Sequence, residues 1–235
     1  MIIFAETFIQ DSVVEFFHKK IHILIKAKKI TQEAQDVKAY DIDAEIKFPD
    51  SKEAHIVASK LSFNPETFEC HLLDNIKLVW DDVIIDSTHL IFKIKDYVVL
   101  SDVMQKGYYK RWTFLVSHTL YEYEKRMLTF AKGCEIFDTD SRLTANYGEI
   151  YLGKWLRVSK NVVFKNNEIE MISDDVKCYL GDDQKIKRVE SMRKTTFKTR
   201  GNVTASGENM IYENDEIVVH KNAKVVIEVG DKLSF

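Results

Sequence analysis

Apolar and polar residues alternate with a period of two along most of this chain, which places one side of each segment in an interior and the other in water. Residues 21–30 are the first clear instance. Residues 37–48 alternate again through Val37, Ala39, Ile42, Ala44, Ile46 and Phe48, until Pro49-Asp50 turns the chain. Residues 56–63 follow, are broken at 64–67, and are answered by 68–72 and then by Asn75-Ile76-Lys77-Leu78. The same order of strand, turn and strand returns at 85–92 with 97–100, at 114–123 with 127–136, and at 201–227. Turn formers bound runs rich in β-branched and aromatic residues, so the pattern predicts a series of β-hairpins.

The hairpins share an internal register. A small residue with an apolar one three positions later occurs at Ala27/Ile30, Ala58/Leu61, Ser87/Leu90, Ser117/Leu120, Ser173/Val176 and Gly207/Met210. Ala145 with Gly148 and Ile150 is a degenerate member, and successive anchors lie 28 to 34 residues apart, the length of one hairpin plus its connection. Phe63, Phe92 and Tyr212 add an aromatic two positions beyond their anchors. The second half of the unit carries Gly or Asn before an apolar residue, at Asn75-Ile76, Gly133-Cys134, Asn161-Val162, Gly201-Asn202-Val203 and Asn222-Ala223.

Residues 6–20 depart from the alternation. Phe8, Ile9, Val13, Val14, Phe16 and Phe17 fit a short amphipathic helix, capped by Asp11-Ser12, that would plug an open end. Before it, Phe4-Ala5-Glu6 is similar to the tail of a secretory signal with its small-residue cleavage site. The expected organisation is an N-terminal cap or signal remnant over residues 1–20 and one all-β array over 21–235, with the best candidate for a seam near Gly107.

Composition narrows function. The chain has 235 residues, 45% of them hydrophobic, enough for a sizeable core. A net charge of −3 excludes a nucleic-acid binder held by bulk electrostatics, and no run approaches the roughly 20 apolar residues that span a bilayer as a helix. Cys70, Cys134 and Cys178 are too widely spaced for a zinc site or disulfide framework, and Cys70 and Cys134 read as small core residues. His18 and His22 near Glu15 lack a third ligand, so they predict exposed or edge histidines. The acidic pairs Asp81-Asp82, Asp138 with Asp140, Asp174-Asp175 and Asp182-Asp183 each fall at an expected turn, where Asp bonds its own backbone. No phosphate loop or nucleophile elbow is present, so no catalytic residue, metal or cofactor is expected.

The strand phrase apolar-x-Ala-x-x-Leu-x-aromatic, a turn, and a Gly/Asn-apolar step resembles the OstA-like repeat of the periplasmic lipopolysaccharide-transport bridge family, which includes LptA and the tethered LptC. The matching residues are 57–63 with Asn75-Ile76, and 210–212 through Val218-Val219 to Asn222-Ala223. Residues 185–191 are similar to the family's connecting phrase before a Gly-Asn-Val step. The resemblance runs over about residues 21 to 235. It departs from the family in having no complete signal or anchor, in having no Gly before Gly107, and in ending at residues 230–235 like a repeat cut short.

That resemblance implies an elongated, twisted open β-jellyroll in the periplasm. Lipopolysaccharide acyl chains would pass along its apolar groove, and protomers or other bridge components would join end to end through edge strands such as residues 225–229. The groove candidates are Ile56, Ala58, Leu61, Phe63, Ile85, Leu90, Phe92, Leu120, Leu128, Phe130, Leu143, Val162, Met210, Tyr212, Val219 and Val225. Two basic clusters, Lys19, Lys20, Lys26, Lys28 and Lys29, and then Lys185, Lys187, Arg188, Arg193 and Lys194, lie either on solvated strand faces or against head-group phosphates. The same alternation also suits a β-solenoid scaffold or surface adhesin with a filled core and no lipid. A carbohydrate-active β-helix enzyme would need two of the named carboxylates to face each other.

Overall fold

The structure is a computed structural model and describes residues 8–18, 20–33, 36–49, 52–200, 203–214 and 216–227. The signal-like start, Gly201-Asn202 and the terminal residues 230–235 lie outside them.

The described chain is an all-β, jellyroll-like array of antiparallel strands, with one 3-10 turn at Ile94–Asp96. Six long strands come first: β1 (Phe8–His18), β2 (Ile21–Glu33), β3 (Asp36–Lys47), β4 (Glu53–Asn64), β5 (Glu69–Trp80) and β6 (Val83–Lys93). Eight short ones follow: β7 (Val98–Ser101), β8 (Gln105–Tyr109), β9 (Trp112–Val116), β10 (Thr119–Glu122), β11 (Met127–Phe130), β12 (Cys134–Phe137), β13 (Ser141–Ala145) and β14 (Tyr147–Tyr151). The chain finishes with β15 (Trp155–Asn166), β16 (Ile169–Leu180), β17 (Ile186–Ser191), β18 (Thr195–Thr199), β19 (Val203–Glu213) and β20 (Glu216–Ile227). It divides into two compact units, Met1–Lys110 with Leu115–Arg126, and Arg111–Phe114 with Met127–Phe235.

In both units the long strands bend at their centres. In β4 the buried positions run Ala54, Ile56, Ala58 and then Leu61, Phe63, a three-residue step that inverts the alternation. Its partner β5 takes a four-residue step from Leu72 to Ile76, with Asp74 and Asn75 in the left-handed region, and the pairing shifts by one residue there. This is a β-bulge, which kinks the strand and re-aims its side chains. The sequence anchors Ala27/Ile30, Ala58/Leu61, Ser87/Leu90, Ser173/Val176 and Gly207/Met210 all fall at such steps. Asn75, Asn161, Asn222 and Gly133 supply left-handed residues at or beside them, because Asn and Gly tolerate that conformation best.

Short strands are long ones cut at the same place. β17 pairs with residues 176–180 of β16 and β18 with residues 169–173, so the break between them sits beside the β16 bend. Bending brings the two halves of each strand face to face. Phe16 lies 4.6 Å from Phe63, and Trp80 4.9 Å from Phe92, across the interior of unit 1. Phe197 and Tyr212 meet at 6.4 Å in unit 2.

Space is tightest at the bend, which is why its residues are small. A Cβ on Gly148 would sit 2.6 Å from the Arg157 carbonyl oxygen, and one on Gly207 2.7 Å from that of Lys221. Hydroxyls there satisfy one another in the absence of a continuous ladder: Ser173, Ser191 and Thr195 form a closed, buried triangle, with Thr195 donating to Ser173 at 2.8 Å. Gln105 donates to Thr119 at the equivalent place in unit 1.

The expected N-terminal helix is a strand. The doublets Val13-Val14 and Phe16-Phe17 mimic helical spacing, but one member of each faces the interior and the other solvent, with Val13 57% and Phe17 69% exposed. β2 offers a ten-residue antiparallel partner to this β-branched and aromatic segment, and Asp11, expected as a cap, instead takes φ 46° at the bend. A short isolated helix has no comparable set of partners.

Candidate functional site

Bending each long strand leaves the interior of a unit with a closed spine, where the strands turn, and a mouth, where hairpin tips from the two rims meet. The interior is lined by the predicted apolar set. Thirteen of the sixteen groove candidates are buried: Ile56, Ala58, Leu61, Phe63, Ile85, Leu90 and Phe92 in unit 1, and Leu128, Phe130, Leu143, Val162, Met210 and Tyr212 in unit 2. Leu90, Phe63, Phe92, Val162 and Met210 are 0% exposed, so the interior is filled by its own side chains.

Three candidates stand elsewhere. Leu120 is half-exposed and faces outward, because the chain breaks at Ser117-His118 rather than bulging, and the alternation restarts with Thr119 and Tyr121 inward. Val219 sits opposite buried Met210 on the inner face, but on β20, where cover is incomplete. Val225 sits opposite buried Ala205 and is 59% exposed. Both belong to a strand whose described pairing is with β19 alone, as that of β1 is with β2.

The mouth of unit 1 is an aromatic seal. Trp80, at the end of β5, stacks on Tyr123 at 4.1 Å and on Phe48 at 5.3 Å, while Tyr97 closes on Phe48 at 4.8 Å. Asp81 and Asp82 lie in the β5–β6 turn, facing Arg126 in the turn between β10 and β11. One Arg126 guanidinium nitrogen is 3.0 Å from both Asp82 oxygens, and Tyr123 donates to Asp81 at 3.3 Å. Lys52 rests its ammonium 4.8 Å from the Tyr123 ring.

The mouth of unit 2 is instead a polar cleft of about 660 Å³. One rim brings Arg111, Asp138, Asp140, Asn166 and Glu168, and the other Asp183, Lys185, Lys187, Tyr212 and Asn214. Asp138 holds its own turn by accepting the backbone N–H groups of Asp140 and Ser141 at 2.8 and 2.7 Å, and it pairs with Arg111 Nε at 2.7 Å. A second Arg111 nitrogen reaches Asp140 at 2.8 Å and holds that carboxyl below its ordinary range. Two bonds cross from rim to rim: Tyr212 Oη donates to Glu168 at 2.8 Å, and the buried Trp112 indole donates to the Gln184 carbonyl at 2.9 Å. Lys185 approaches Asp140 at 3.8 Å.

The other candidate groups have structural partners. Asp182-Asp183 lies in a turn where Asp183 accepts the Lys185 N–H at 3.1 Å. Asp174-Asp175, expected at a turn, lies within β16 at its bend, and Asp175 takes a two-point contact from Arg157 at 3.1 and 2.8 Å. His22 bonds Glu15 at 3.3 Å and stacks on Phe17, while the side chain of His18 lies outside the described residues. Cys70, Cys134 and Cys178 are free and buried, and desolvation pushes the thiols of Cys134 and Cys178 up to about 12.

Of the first basic cluster, Lys26 pairs with Glu45 and Lys28 with Asp41 on the solvated face. Of the second, Lys185 and Lys187 line the cleft and Arg188 pairs with Glu190 and Glu213. Sequence reasoning singled out those lysines but not Arg111, Trp112 or Glu168, whose partners lie far along the chain. No helix among the described residues is long and apolar enough to cross a membrane. Compared with known proteins, the chain matches no family model and no curated protein. Fold and site therefore define its class: an all-β, jellyroll-like protein with a buried apolar interior in each unit.

Proposed function

We propose that the chain is a non-enzymatic, periplasmic lipopolysaccharide-binding bridge protein, which carries the glycolipid from inner to outer membrane with its acyl chains in the apolar interior. The observation that carries this reading is the construction of the interior. It is apolar from strand to strand apart from the hydroxyls bonded to one another at the spine, and the rims described above meet through side chains, so parting them breaks no sheet ladder. Acyl chains gain roughly 0.8 kcal/mol per CH₂ buried in such a lining. The single described pairings of β1 and β20 support edge-to-edge joining of protomers or other bridge components. Carboxylates engaged by arginines or by their own turns support a role outside catalysis.

A photo-crosslinking residue at Phe63, Phe92 or Tyr212 is expected to capture lipopolysaccharide. Crosslinks confined to the outward neighbours Lys60 and Glu213 would refute the groove. A second reading, a structural or surface-adhesion protein with no lipid ligand, is favoured by the complete burial of Phe63, Leu90, Phe92 and Met210. It predicts lipid-free native mass spectra after incubation with lipopolysaccharide.

A further inference from the structure

The two mouths are closed by chemistries that differ in how readily they reopen. In unit 1, separating the rims exposes Trp80, Phe48 and Tyr97 to water and pulls the Arg126 guanidinium from Asp82. Apolar surface gains nothing from solvent in return. In unit 2 the space between the rims is already polar, and parting them uncovers one buried ring, the Trp112 indole, against the stacked set in unit 1. When Tyr212 releases Glu168, both groups pass to water or to a polar ligand, and the lysines of the cleft already face that space.

Resting on the lipid-carrier reading above, we infer that the amphiphile is loaded through the mouth of unit 2, while the aromatic seal keeps the mouth of unit 1 shut. The Tyr212–Glu168 and Trp112–Gln184 bonds are the straps that part. The ligand class follows from what each layer of the site can satisfy. Below the straps, buried Phe197, Met210 and Phe164 accept only hydrocarbon. Above them, Asn166, Asn214 and the carboxylates Asp183 and Glu168 suit hydroxyls, and Lys187 suits an acidic group, while Lys185 already approaches Asp140 at 3.8 Å. That combination suits an acylated, hydroxyl-rich head group carrying few acidic groups, and it disfavours a free fatty acid, which would leave most of the cleft unused. Arg111 stays with Asp138 and Asp140 as a fixed post of the rim.

Two bridged variants test this. Glu168→Cys with Tyr212→Cys, joined by a reducible bis-methanethiosulfonate, fastens the mouth of unit 2; Asp82→Cys with Arg126→Cys, joined in the same way, fastens that of unit 1. The native thiols are buried and stay out of the reaction. The probe is lipopolysaccharide carrying a fluorophore on its sugars, read by its rate of uptake. Fastening unit 2 is expected to slow uptake about tenfold or more, with recovery on reduction, as for any gated step. Fastening unit 1 leaves the rate unchanged, and Tyr212→Phe, which removes one strap and keeps the ring, raises it. Unchanged uptake with unit 2 fastened, or a block produced only from unit 1, overturns the loading route while leaving lipid carriage intact. No uptake by the unbridged chain overturns both.

Discussion

In unit 1 the rims of the mouth meet over Trp80, which stacks between Tyr123 and Phe48, with Arg126 clasping Asp82 at the solvent edge. In unit 2 they meet over a cleft of about 660 Å³ and are held by a phenol on a carboxylate and an indole on a carbonyl. Both units share the bent strand, the small-residue spine and the apolar interior. The difference lies in which side chains the hairpin tips present. Fold and gate are therefore separable: the spine sets the architecture, and the turn residues decide whether a mouth is a seal or a doorway.

The largest effect expected is from Trp80→Ala, which empties the centre of the unit 1 seal and should cost about 3–5 kcal/mol in urea unfolding. A loss below about 1 kcal/mol would mean that the stack contributes little and that the contrast between mouths is only one of shape. Ser173→Leu strikes the feature the units share. It crowds the spine of unit 2 and takes one partner each from the hydroxyls of Ser191 and Thr195, which keep each other and the Arg193 carbonyl, for an expected loss of about 1–3 kcal/mol, most of it from overpacking. Next come the straps. Tyr212→Phe should cost about 1 kcal/mol, whereas Arg126→Ala, on a pair whose side chains are both 35% exposed, should cost about 0.5 kcal/mol and nothing measurable in high salt. If Arg126→Ala proves the costlier of the two, the unit 1 seal rests on its ion pair and not on its rings.

The smallest effect near neutral pH comes from the buried thiols of unit 2. Burial raises Cys134 and Cys178 from an ordinary 9.0 to about 12, by desolvation first. The unfolded chain thus releases these protons before the folded one does. Their contribution is complete below pH 9 and is lost as pH climbs from 9 towards 12. Alkylation of the folded protein at pH 8 should therefore proceed only at the rate of unfolding, and Cys178→Ala should flatten the alkaline limb of the stability profile.

Much of the architecture was legible in the residues. Ala58 with Leu61, and Asn75 before Ile76, read as a repeat because each marks one side of a bend: a small residue where backbones crowd, and an Asn where φ must be positive. Period-two alternation identified Phe63, Phe92 and Met210 as inward for the same reason. Residues 8–18 misled because doubled apolar residues satisfy both periods, and the strand that decides between them is β2, supplied by the fold. Leu120 misled because a broken strand resets its phase where a bulged one shifts it. The mouths were not legible. Arg126 meets Asp82 across 44 positions and Trp112 meets Gln184 across 72, and no local pattern encodes which turns will face each other after bending.

That separation in sequence also sets an order of events during folding. From β1 to β6 every described ladder joins a strand to its neighbour in the chain, so that stretch can zip up one hairpin at a time, whereas among the later strands ladders such as β11 with β14 and β17 with β19 close over intervening strands. The Trp112–Gln184 bond must wait until β9 to β17 are in place. A nascent unit 2 is thus gaping until its final step, and a guest already present at that moment would be enclosed without the door having to reopen.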